Sequence, residues 1–296
     1  MEKESITALL ELTHRCNLTC KHCYNSSSPA STEELGLETV KEIIHDLNKL
    51  TDYHIEKVIL TGGEFVYMKQ AAEIYAYIRE HFHGSLRIET NGLLFKRRPE
   101  LFQIFRAEEY FISADTFHGT IDRKGHSELL DFFIHYSIRN GFKVICRLTV
   151  DHSDSDIIPL FLERYGRDDS LALEIKYVSP SGRASENLKD FKGFRYEENK
   201  ELFTCLANNM IHFNVRKQWH ACYTACNLSY VAHLGDEDMN EKLFHKRQSG
   251  IFRSLRVQGI GSLLEEVTNP KLREAFLNQT FYYRCEPCLY LSEALH

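Results

Sequence analysis

The segment CNLTCKHC at Cys16–Cys23 follows the apolar run ITALLEL at Ile6–Leu12 after three residues. The run is rich in Ile and Leu and ends in polar residues, which predicts a β-strand. The cysteine segment therefore lies in the loop that directly follows the first strand. In a parallel α/β sheet, loops at the carboxyl ends of the strands carry the chemistry.

Five further apolar runs repeat this pattern along the chain, separated by amphipathic segments. The predicted strands are Ile6–Leu12, Lys57–Thr61, Leu86–Glu89, Tyr110–Ala114, Lys143–Val150 and Leu171–Val178. The predicted helices are Glu34–Leu50, Met68–Phe82, Ser127–Ile138 and Ile157–Tyr165. Ser31 and Glu34 form a capping-box pattern before the first helix.

This alternation predicts an α/β fold with a parallel sheet. About six repeats are too few for a closed barrel, which needs about 250 residues. We therefore expect an incomplete (β/α)6 barrel over residues 1–185. A charged linker over 186–203 and a small α+β module over 204–296 follow, after the pattern breaks at Pro180–Arg183.

The second module carries two recognisable local patterns. The segments Ile211–Val215 and Trp219–Tyr223 are expected to pair as a hairpin. The segment Leu263–Leu277 is expected to form a helix interrupted at Pro270.

The composition of the whole chain restricts the classes of partner that it can bind. A net charge of -6 argues against nucleic acid, whose phosphates need a concentrated basic face. Without a signal peptide or membrane-length apolar run, we expect a cytoplasmic protein with no membrane partner.

Nine cysteines are many for 296 residues, and clustered cysteines in a cytosolic protein indicate metal or redox chemistry. Cys16, Cys20 and Cys23 place three thiolates within eight residues. Three thiolates can hold a [4Fe-4S] cluster by three irons and leave the fourth iron open. The same triplet with a distant fourth ligand could instead bind zinc.

The spacing C-x3-C-x2-C in the first loop resembles the radical S-adenosylmethionine (SAM) superfamily. The resemblance implies that the open iron chelates the amino and carboxylate groups of SAM. It implies that one electron from the cluster cleaves SAM to methionine and a 5′-deoxyadenosyl radical, which abstracts a hydrogen atom from the substrate. His22 stands where the superfamily more often has an aromatic ring before the third cysteine.

Other strand ends carry motifs in the order that the superfamily has them. Gly62-Gly63-Glu64 resembles its GGE motif, which contacts the SAM amino group, and glycines let the backbone approach a ligand closely. Phe65 stands where the superfamily usually has proline. Taken alone, a Gly-Gly-Glu sequence would be read as a turn.

The next three strand ends complete the resemblance. Asn91 belongs to a Thr-Asn-Gly sequence, which by itself would indicate a turn. Ser113 and Asp115 resemble the S-x-D element that meets the SAM ribose and carboxylate. Arg147 matches an arginine that clamps the SAM carboxylate, although a strand arginine could equally form a salt bridge.

Cysteines near the carboxyl end resemble auxiliary-cluster modules of the SPASM and twitch type. The resemblance implies one auxiliary [4Fe-4S] or [2Fe-2S] cluster on Cys205, Cys222, Cys285 and Cys288. A structural zinc site on the same residues is the alternative. The sequences Gly182-Arg183-Ala184 and Leu234-Gly235-Asp236 resemble recurring elements of such proteins, and Lys217 replaces the usual glycine of the hairpin.

Three residues near these motifs have open assignments. Cys226 could be a cluster ligand, a thiol that donates a hydrogen atom to a substrate radical, or a buried apolar residue. Cys146 lies on an apolar strand and is expected in the core. His118 follows a strand end, but with fifteen histidines present it receives no catalytic assignment.

The sequence thus predicts a radical SAM enzyme that modifies a peptide by epimerisation, crosslinking or oxidation. It would accept electrons from an external donor such as flavodoxin or ferredoxin. The fifteen residues before Cys16 suggest no extra peptide-binding domain, which keeps an aminoglycoside-like small molecule as an alternative substrate. A non-catalytic zinc-binding interaction protein and a simple electron carrier are alternatives of other classes.

Overall fold

The computed structural model describes residues 3–151, 155–178, 180–188, 194–195, 209–222, 230–235, 238–249, 253, 259–281 and 286–295. The strands are β1 (Glu4–Thr13), β2 (Tyr53–Gly62), β3 (Ser85–Thr90), β4 (Glu109–Asp115), β5 (Lys143–Val150), β6 (Leu171–Tyr177), β7 (Phe194–Arg195), β8 (Met210–Phe213), β9 (Gln218–His220), β10 (Tyr230–His233) and β11 (Thr280–Phe281). The helices are α1 (Leu37–Asn48), α2 (Ala71–His81), α3 (Leu93–Arg97), α4 (Leu101–Ile104), α5 (Glu128–Asn140), α6 (Ile157–Tyr165), α7 (Arg183–Asn187), α8 (Met239–Gln248), α9 (Ile260–Glu266), α10 (Pro270–Asn278) and α11 (Glu286–Leu295).

The chain forms two compact units, and both β1 and β2 contribute residues to each of them. The first unit comprises Leu10–Lys41 and Lys57–Lys192, and the second unit comprises Met1–Leu9, Glu42–Glu56 and Gly193–His296.

Within the part of the chain that the structure describes, every helix falls short of the length and apolarity needed to cross a bilayer.

The first unit contains the predicted parallel sheet, in the order β1-β2-β3-β4-β5-β6. The pairs β2–β3, β3–β4, β4–β5 and β5–β6 are all parallel. Among the described strands β6 has β5 as its one neighbour, so the sheet remains open at this edge. All six predicted strands are confirmed, and the α/β fold with an incomplete barrel agrees with this topology.

One face of this sheet is apolar and packs against helices. Tyr110 of β4 is fully buried, and its ring centroid lies 6.0 Å from that of Phe133 on α5. Phe95 and Phe102 extend this aromatic cluster, at 5.4 and 5.2 Å from Tyr110. Because successive strand residues point to opposite faces, the neighbours of Tyr110 on β4 face the other side of the sheet.

The four helices predicted between the strands are confirmed, but the predicted capping box before the first of them is wrong. Helix α1 begins at Leu37, whereas Glu34 forms a β-bridge with Thr13 and accepts a hydrogen bond from its hydroxyl at 3.2 Å. The Ser31 hydroxyl lies 3.2 Å from that of Ser28. Both proposed capping side chains are therefore used to hold the loop after β1.

The second unit contains the predicted hairpin and a small helical cluster. Strands β8 and β9 pair antiparallel, and β9 pairs antiparallel with β10. Lys217 in the hairpin turn has φ of 59°, the left-handed conformation that glycine adopts most easily. The expected interruption at Pro270 is confirmed, because α9 ends at Glu266 and Asn269 caps the start of α10.

Candidate metal centre

The loop after β1 carries the three predicted cluster ligands. Cys16, Cys20 and Cys23 are free of disulfide bonds. The backbone N–H of Cys23 donates to the Cys20 carbonyl at 3.2 Å, and that of Cys16 donates to the Ser28 carbonyl at 3.1 Å. The loop therefore folds back on itself, and its chain path is set by main-chain hydrogen bonds.

Each of the three sulfurs has a nitrogen beside it. The Asn91 amide donates to Cys16 Sγ at 3.9 Å, and the Ser27 backbone N–H donates to Cys23 Sγ at 3.3 Å. Cys20 Sγ contacts His118 Nε2. Hydrogen bonds to ligating sulfurs are a regular feature of iron–sulfur sites.

Burial raises the pKa of the Cys16 thiol and that of the Cys20 thiol to about 12. Both groups are therefore protonated thiols at neutral pH until a metal ion displaces the proton. Three cysteines in one loop, each with a nitrogen beside its sulfur, fit a cluster held by three cysteines.

The Gly-Gly-Glu turn after β2 lies directly against the cysteine loop. The backbone N–H of Gly63 donates to the Thr13 carbonyl at 2.6 Å, and that of Glu64 donates to the Arg15 carbonyl at 2.9 Å. A Cβ atom at Gly63 would overlap the Arg15 carbonyl oxygen, and one at Gly62 would overlap backbone atoms of Thr13. Two glycines are therefore required for this close approach.

The Glu64 carboxylate connects the second and third strand ends. It is fully buried and accepts hydrogen bonds from Thr90 Oγ1 at 2.8 Å and from the Asn91 backbone N–H at 2.9 Å. Burial raises the pKa of Glu64 to about 7. The resemblance implies that this motif contacts the SAM amino group, and in this structure the carboxylate joins the second and third strand ends.

Phe65, which stands where the motif usually has proline, has a structural role in the core. Phe65 begins a short 3₁₀ helix and is fully buried. Its ring lies 5.6 Å from that of Phe105 in an edge-to-face arrangement. Phe65 therefore anchors the turn to the apolar core.

Asn91 lies between the third strand end and the cysteine loop. Its side-chain amide donates to Asn17 Oδ1 at 2.8 Å as well as to Cys16. Gly92 follows with φ of 74° and lets α3 begin at once. The Thr-Asn-Gly sequence is thus a turn that also contacts the first predicted ligand.

The fourth strand end brings Asp115 against two histidines. Asp115 Oδ2 lies 2.6 Å from His118 Nδ1 and 3.6 Å from His22 Nε2, and its side chain is fully buried. Potential ligand atoms of these three residues lie within 4.8 Å of one another. The pKa of His22 is lowered to about 4 by burial, against the opposing effect of Asp115.

Ser113 and Arg147 face the same side of the sheet, since they are register partners on β4 and β5. Arg147 donates to Glu174 at 3.2 Å, and its guanidinium lies 4.3 Å from the centroid of Phe111. The alternative reading of Arg147 as a salt-bridging strand residue therefore describes one of its contacts in this structure.

Charged pairs continue along this face of the sheet. Glu109 accepts from Lys57 at 2.9 Å and from Arg87 Nε at 2.7 Å. The Thr61 hydroxyl donates to Glu89 at 2.7 Å. The face opposite the aromatic core is therefore polar, with acidic and basic side chains that neutralise each other.

Arg183 is a residue whose role the sequence did not reveal. Its guanidinium donates to the backbone carbonyls of Cys20 at 2.9 Å, Ser26 at 2.7 Å and Ser27 at 2.9 Å. The sequence did mark this position, because Gly182-Arg183-Ala184 resembles a recurring element of proteins with auxiliary-cluster modules. His118, which received no assignment, was likewise visible three residues after Asp115.

The predicted auxiliary ligands are partly within the described residues. Cys222 follows β9, and Cys288 lies in the first turn of α11 beside an apolar cluster that includes Phe276. The three remaining cysteines of this region lie outside the described residues: Cys205, Cys226 and Cys285. Cys146 is fully buried on β5, which confirms its expected place in the core.

Residues 10–150 match the family model of the radical SAM superfamily. AlbA of Bacillus subtilis (strain 168), an antilisterial bacteriocin subtilosin biosynthesis protein, is 36% identical over 100 residues, which cover 33% of this chain and 21% of AlbA. The mycofactocin maturase MftC of Mycolicibacterium smegmatis is 27% identical over 209 residues, covering 66% of this chain and 50% of MftC. The chain thus spans half or less of the length of these curated relatives.

The solved structure of anSMEcpe with bound AdoMet has a TM-score of 0.59 to this chain at 13% identity, covering 98% of this chain and 96% of that one. This likeness shows a shared fold. The superfamily implies a [4Fe-4S] cluster and SAM, and the cysteine loop has the donor set for the cluster. The chain therefore contains a radical SAM domain over residues 10–150.

Proposed function

We propose that this chain is a radical SAM enzyme that modifies a peptide. The observation that carries the proposal is the cysteine loop, where three free thiols lie within eight residues and each sulfur has a nitrogen beside it. This arrangement meets the backbone of the Gly-Gly-Glu turn through hydrogen bonds from Gly63 and Glu64. These hydrogen bonds hold the two loops against each other.

In this proposal Cys16, Cys20 and Cys23 hold the cluster. When bound, the cluster and SAM supply a 5′-deoxyadenosyl radical that abstracts a hydrogen atom from the substrate. The residues that would orient SAM are those of the four strand-end motifs: Gly62, Gly63, Glu64, Asn91, Ser113, Asp115 and Arg147. Glu64 would contribute partly by positioning Asn91, because its carboxylate accepts a hydrogen bond from the Asn91 backbone N–H.

The polar face of the sheet supports a polar substrate. Arg147 with Glu174, and Glu89 with Thr61, present hydrogen-bonding groups on the face of the sheet opposite the aromatic core. These groups already pair with each other, and a polar face of this kind suits a peptide backbone, whose own polar groups need partners when they are buried. The functions of AlbA and MftC, bacteriocin biosynthesis and mycofactocin maturation, favour a peptide over an aminoglycoside-like molecule.

For the second unit we propose an auxiliary cluster of the twitch type on Cys205, Cys222, Cys285 and Cys288. Cys226 would supply a hydrogen atom to a substrate radical, which suits redox-neutral epimerisation. A flavodoxin or ferredoxin would deliver the electron that starts each turnover.

The test is anaerobic reconstitution with iron and sulfide, followed by addition of dithionite and SAM. We expect a brown protein that releases 5′-deoxyadenosine and a Cys20→Ala variant that releases none. Cys146→Ala is the matched control, because Cys146 is a buried residue of β5 and is not one of the three loop cysteines. A colourless protein that binds zinc, or a Cys20→Ala variant with unchanged deoxyadenosine release, would contradict the proposal.

The substrate class is tested by mass spectrometry with peptides made from any short reading frame that lies beside this gene. Crosslinking or another oxidation removes two hydrogen atoms from the peptide. Epimerisation leaves the mass unchanged in H2O and incorporates deuterium in D2O. SAM cleavage that is stimulated by an aminocyclitol and by none of the peptides would reject the peptide assignment.

A further inference from the structure

His118 lies between a predicted cluster ligand and a buried carboxylate. Its Nε2 contacts Cys20 Sγ, and its Nδ1 lies 2.6 Å from Asp115 Oδ2. The His118 side chain is 7% exposed and that of Asp115 is 0% exposed, so water has little access to either contact. The two nitrogens of one ring thus face the Cys20 sulfur on one side and a carboxylate oxygen on the other.

Hydrogen bonds around His118 fix the backbone of the turn that carries it. The backbone N–H of His118 donates to Asp115 Oδ1 at 2.7 Å, so Asp115 holds both ends of the turn after β4. Thr120 Oγ1 in turn accepts from the Asp115 backbone N–H and donates to its carbonyl, both at 3.0 Å. The backbone of His118 is therefore held by the buried Asp115 carboxylate.

The three sulfurs of the loop differ in the donor that each one meets. Cys16 meets a neutral side-chain amide, and Cys23 meets a backbone N–H. Cys20 meets an imidazole whose second nitrogen is next to a carboxylate. In metal sites, a carboxylate beside the second nitrogen of an imidazole fixes the orientation of the ring and raises its basicity.

We propose that His118 is a positioning residue that donates a hydrogen bond to the Cys20 sulfur and thereby raises the reduction potential of the [4Fe-4S] cluster. This inference rests on the proposed function, since it requires that Cys20 holds the cluster. Reduction adds negative charge that spreads onto the ligating sulfurs. A hydrogen bond to one of them stabilises the reduced state, and such bonds are among the factors that set cluster potentials. Asp115 keeps the ring directed at the sulfur.

The test is an EPR-monitored redox titration of the reconstituted full chain. The signal that changes on addition of SAM identifies the N-terminal cluster. His118→Leu removes the donor, and His118→Gln keeps an N–H group of similar reach. His126→Leu is the matched control, because His126 is paired with Asp131 at 2.8 Å in the segment before α5.

We expect the midpoint potential to shift to a more negative value in His118→Leu, with iron content and SAM-dependent signal retained. His118→Gln should restore part of the shift, and His126→Leu should match the unmodified protein. An unchanged midpoint potential in His118→Leu overturns the inference while leaving the proposed function intact. Failure of the unmodified protein to assemble any cluster would instead remove the proposed function.

A second measurement covers the case in which both His118 variants lose the cluster. The reduced unmodified protein, labelled with ¹⁵N-histidine, is examined by pulsed EPR. A weak nitrogen coupling from a histidine beside the cluster supports the hydrogen bond, and its absence overturns the inference.

Discussion

Arg183 donates a hydrogen bond from its guanidinium to the backbone carbonyl of Cys20 at 2.9 Å. The same side chain reaches two further carbonyls of the cysteine loop, and the backbone N–H of Arg183 donates to the Cys23 carbonyl at 2.9 Å. The planar guanidinium can do this because it presents several donors in a fixed geometry. Arg183 thus determines the conformation of the loop before any metal binds.

We expect Arg183→Ala to reduce the iron that the loop retains and to destabilise the fold by about 2 kcal/mol, because hydrogen bonds to charged groups are stronger than neutral ones. Arg183→Lys should recover only part of the lost iron and stability, since one ammonium cannot reach the three carbonyls that the two guanidinium nitrogens bind. Iron analysis after reconstitution and urea unfolding measure the two effects. Arg164→Ala, at an exposed position on α6, serves as the control. Full iron loading in Arg183→Ala would contradict this prediction.

The Gly-Gly-Glu turn is expected to tolerate no side chain at its second glycine. In Gly63→Ala the added Cβ would meet the Arg15 carbonyl, which is backbone and cannot rotate away. The two loops must then separate, so we expect SAM binding to weaken by at least about tenfold, equivalent to about 1.4 kcal/mol. Gly36→Ala is the matched control, because the nearest neighbour of its Cβ is a glutamine side chain at 3.9 Å. Equal SAM affinity in the two variants, measured by the SAM-dependent EPR signal, would show that the turn adapts.

The sequence predicts the framework of this site well, because its signals are local. Apolar runs indicate the strands, and the spacing of Cys16, Cys20 and Cys23 indicates the ligand loop without reference to distant residues. The contacts that Arg183 and His118 make with Cys20 span 163 and 98 residues of sequence. No local pattern encodes such a separation, so the residues that orient the loop become visible only in the fold.

The side-chain direction of Glu64 is a second feature that sequence could not supply. A carboxylate after two glycines can accept hydrogen bonds either from the ammonium group of a ligand or from neighbouring donors of the protein. The choice depends on Thr90 and Asn91, which the parallel pairing of β2 and β3 places beside it. Tertiary structure therefore decides between two roles that the same motif permits.

Glu64 is also expected to make the stability of the cluster-free protein depend on pH. Its pKa is about 7 in the folded protein against an ordinary value of 4.5, so the folded state keeps the proton to higher pH. The folded state then binds more protons than the unfolded state between these values, and stability falls as pH rises through them. The difference corresponds to at most about 3 kcal/mol.

Urea unfolding at about pH 5 and about pH 8 measures this effect. In Glu64→Gln the loss of stability between these two values should become smaller, because the side chain no longer titrates. Glu163→Gln, at an exposed position on α6, should leave the loss as it is in the unmodified protein. An identical pH dependence in Glu64→Gln and Glu163→Gln would show that Glu64 is not the group responsible.

The cysteines of the second unit permit a test that separates ligands from core residues by iron content. If Cys222 and Cys288 hold an auxiliary [4Fe-4S] cluster, the reconstituted protein carries about eight irons, and Cys222→Ala or Cys288→Ala carries about four. Cys146→Ala should keep all of them, since Cys146 is fully buried on β5.

Deoxyadenosine release should persist in Cys222→Ala, because the loop after β1 is unchanged. Cys226→Ala adds a separate readout. A hydrogen-atom donor should be dispensable for iron binding but needed for the normal product, so this variant should consume SAM and yield an altered peptide. The normal product at an unchanged rate would exclude Cys226 from the reaction. A loss of iron equal to that in Cys222→Ala would make Cys226 a ligand instead.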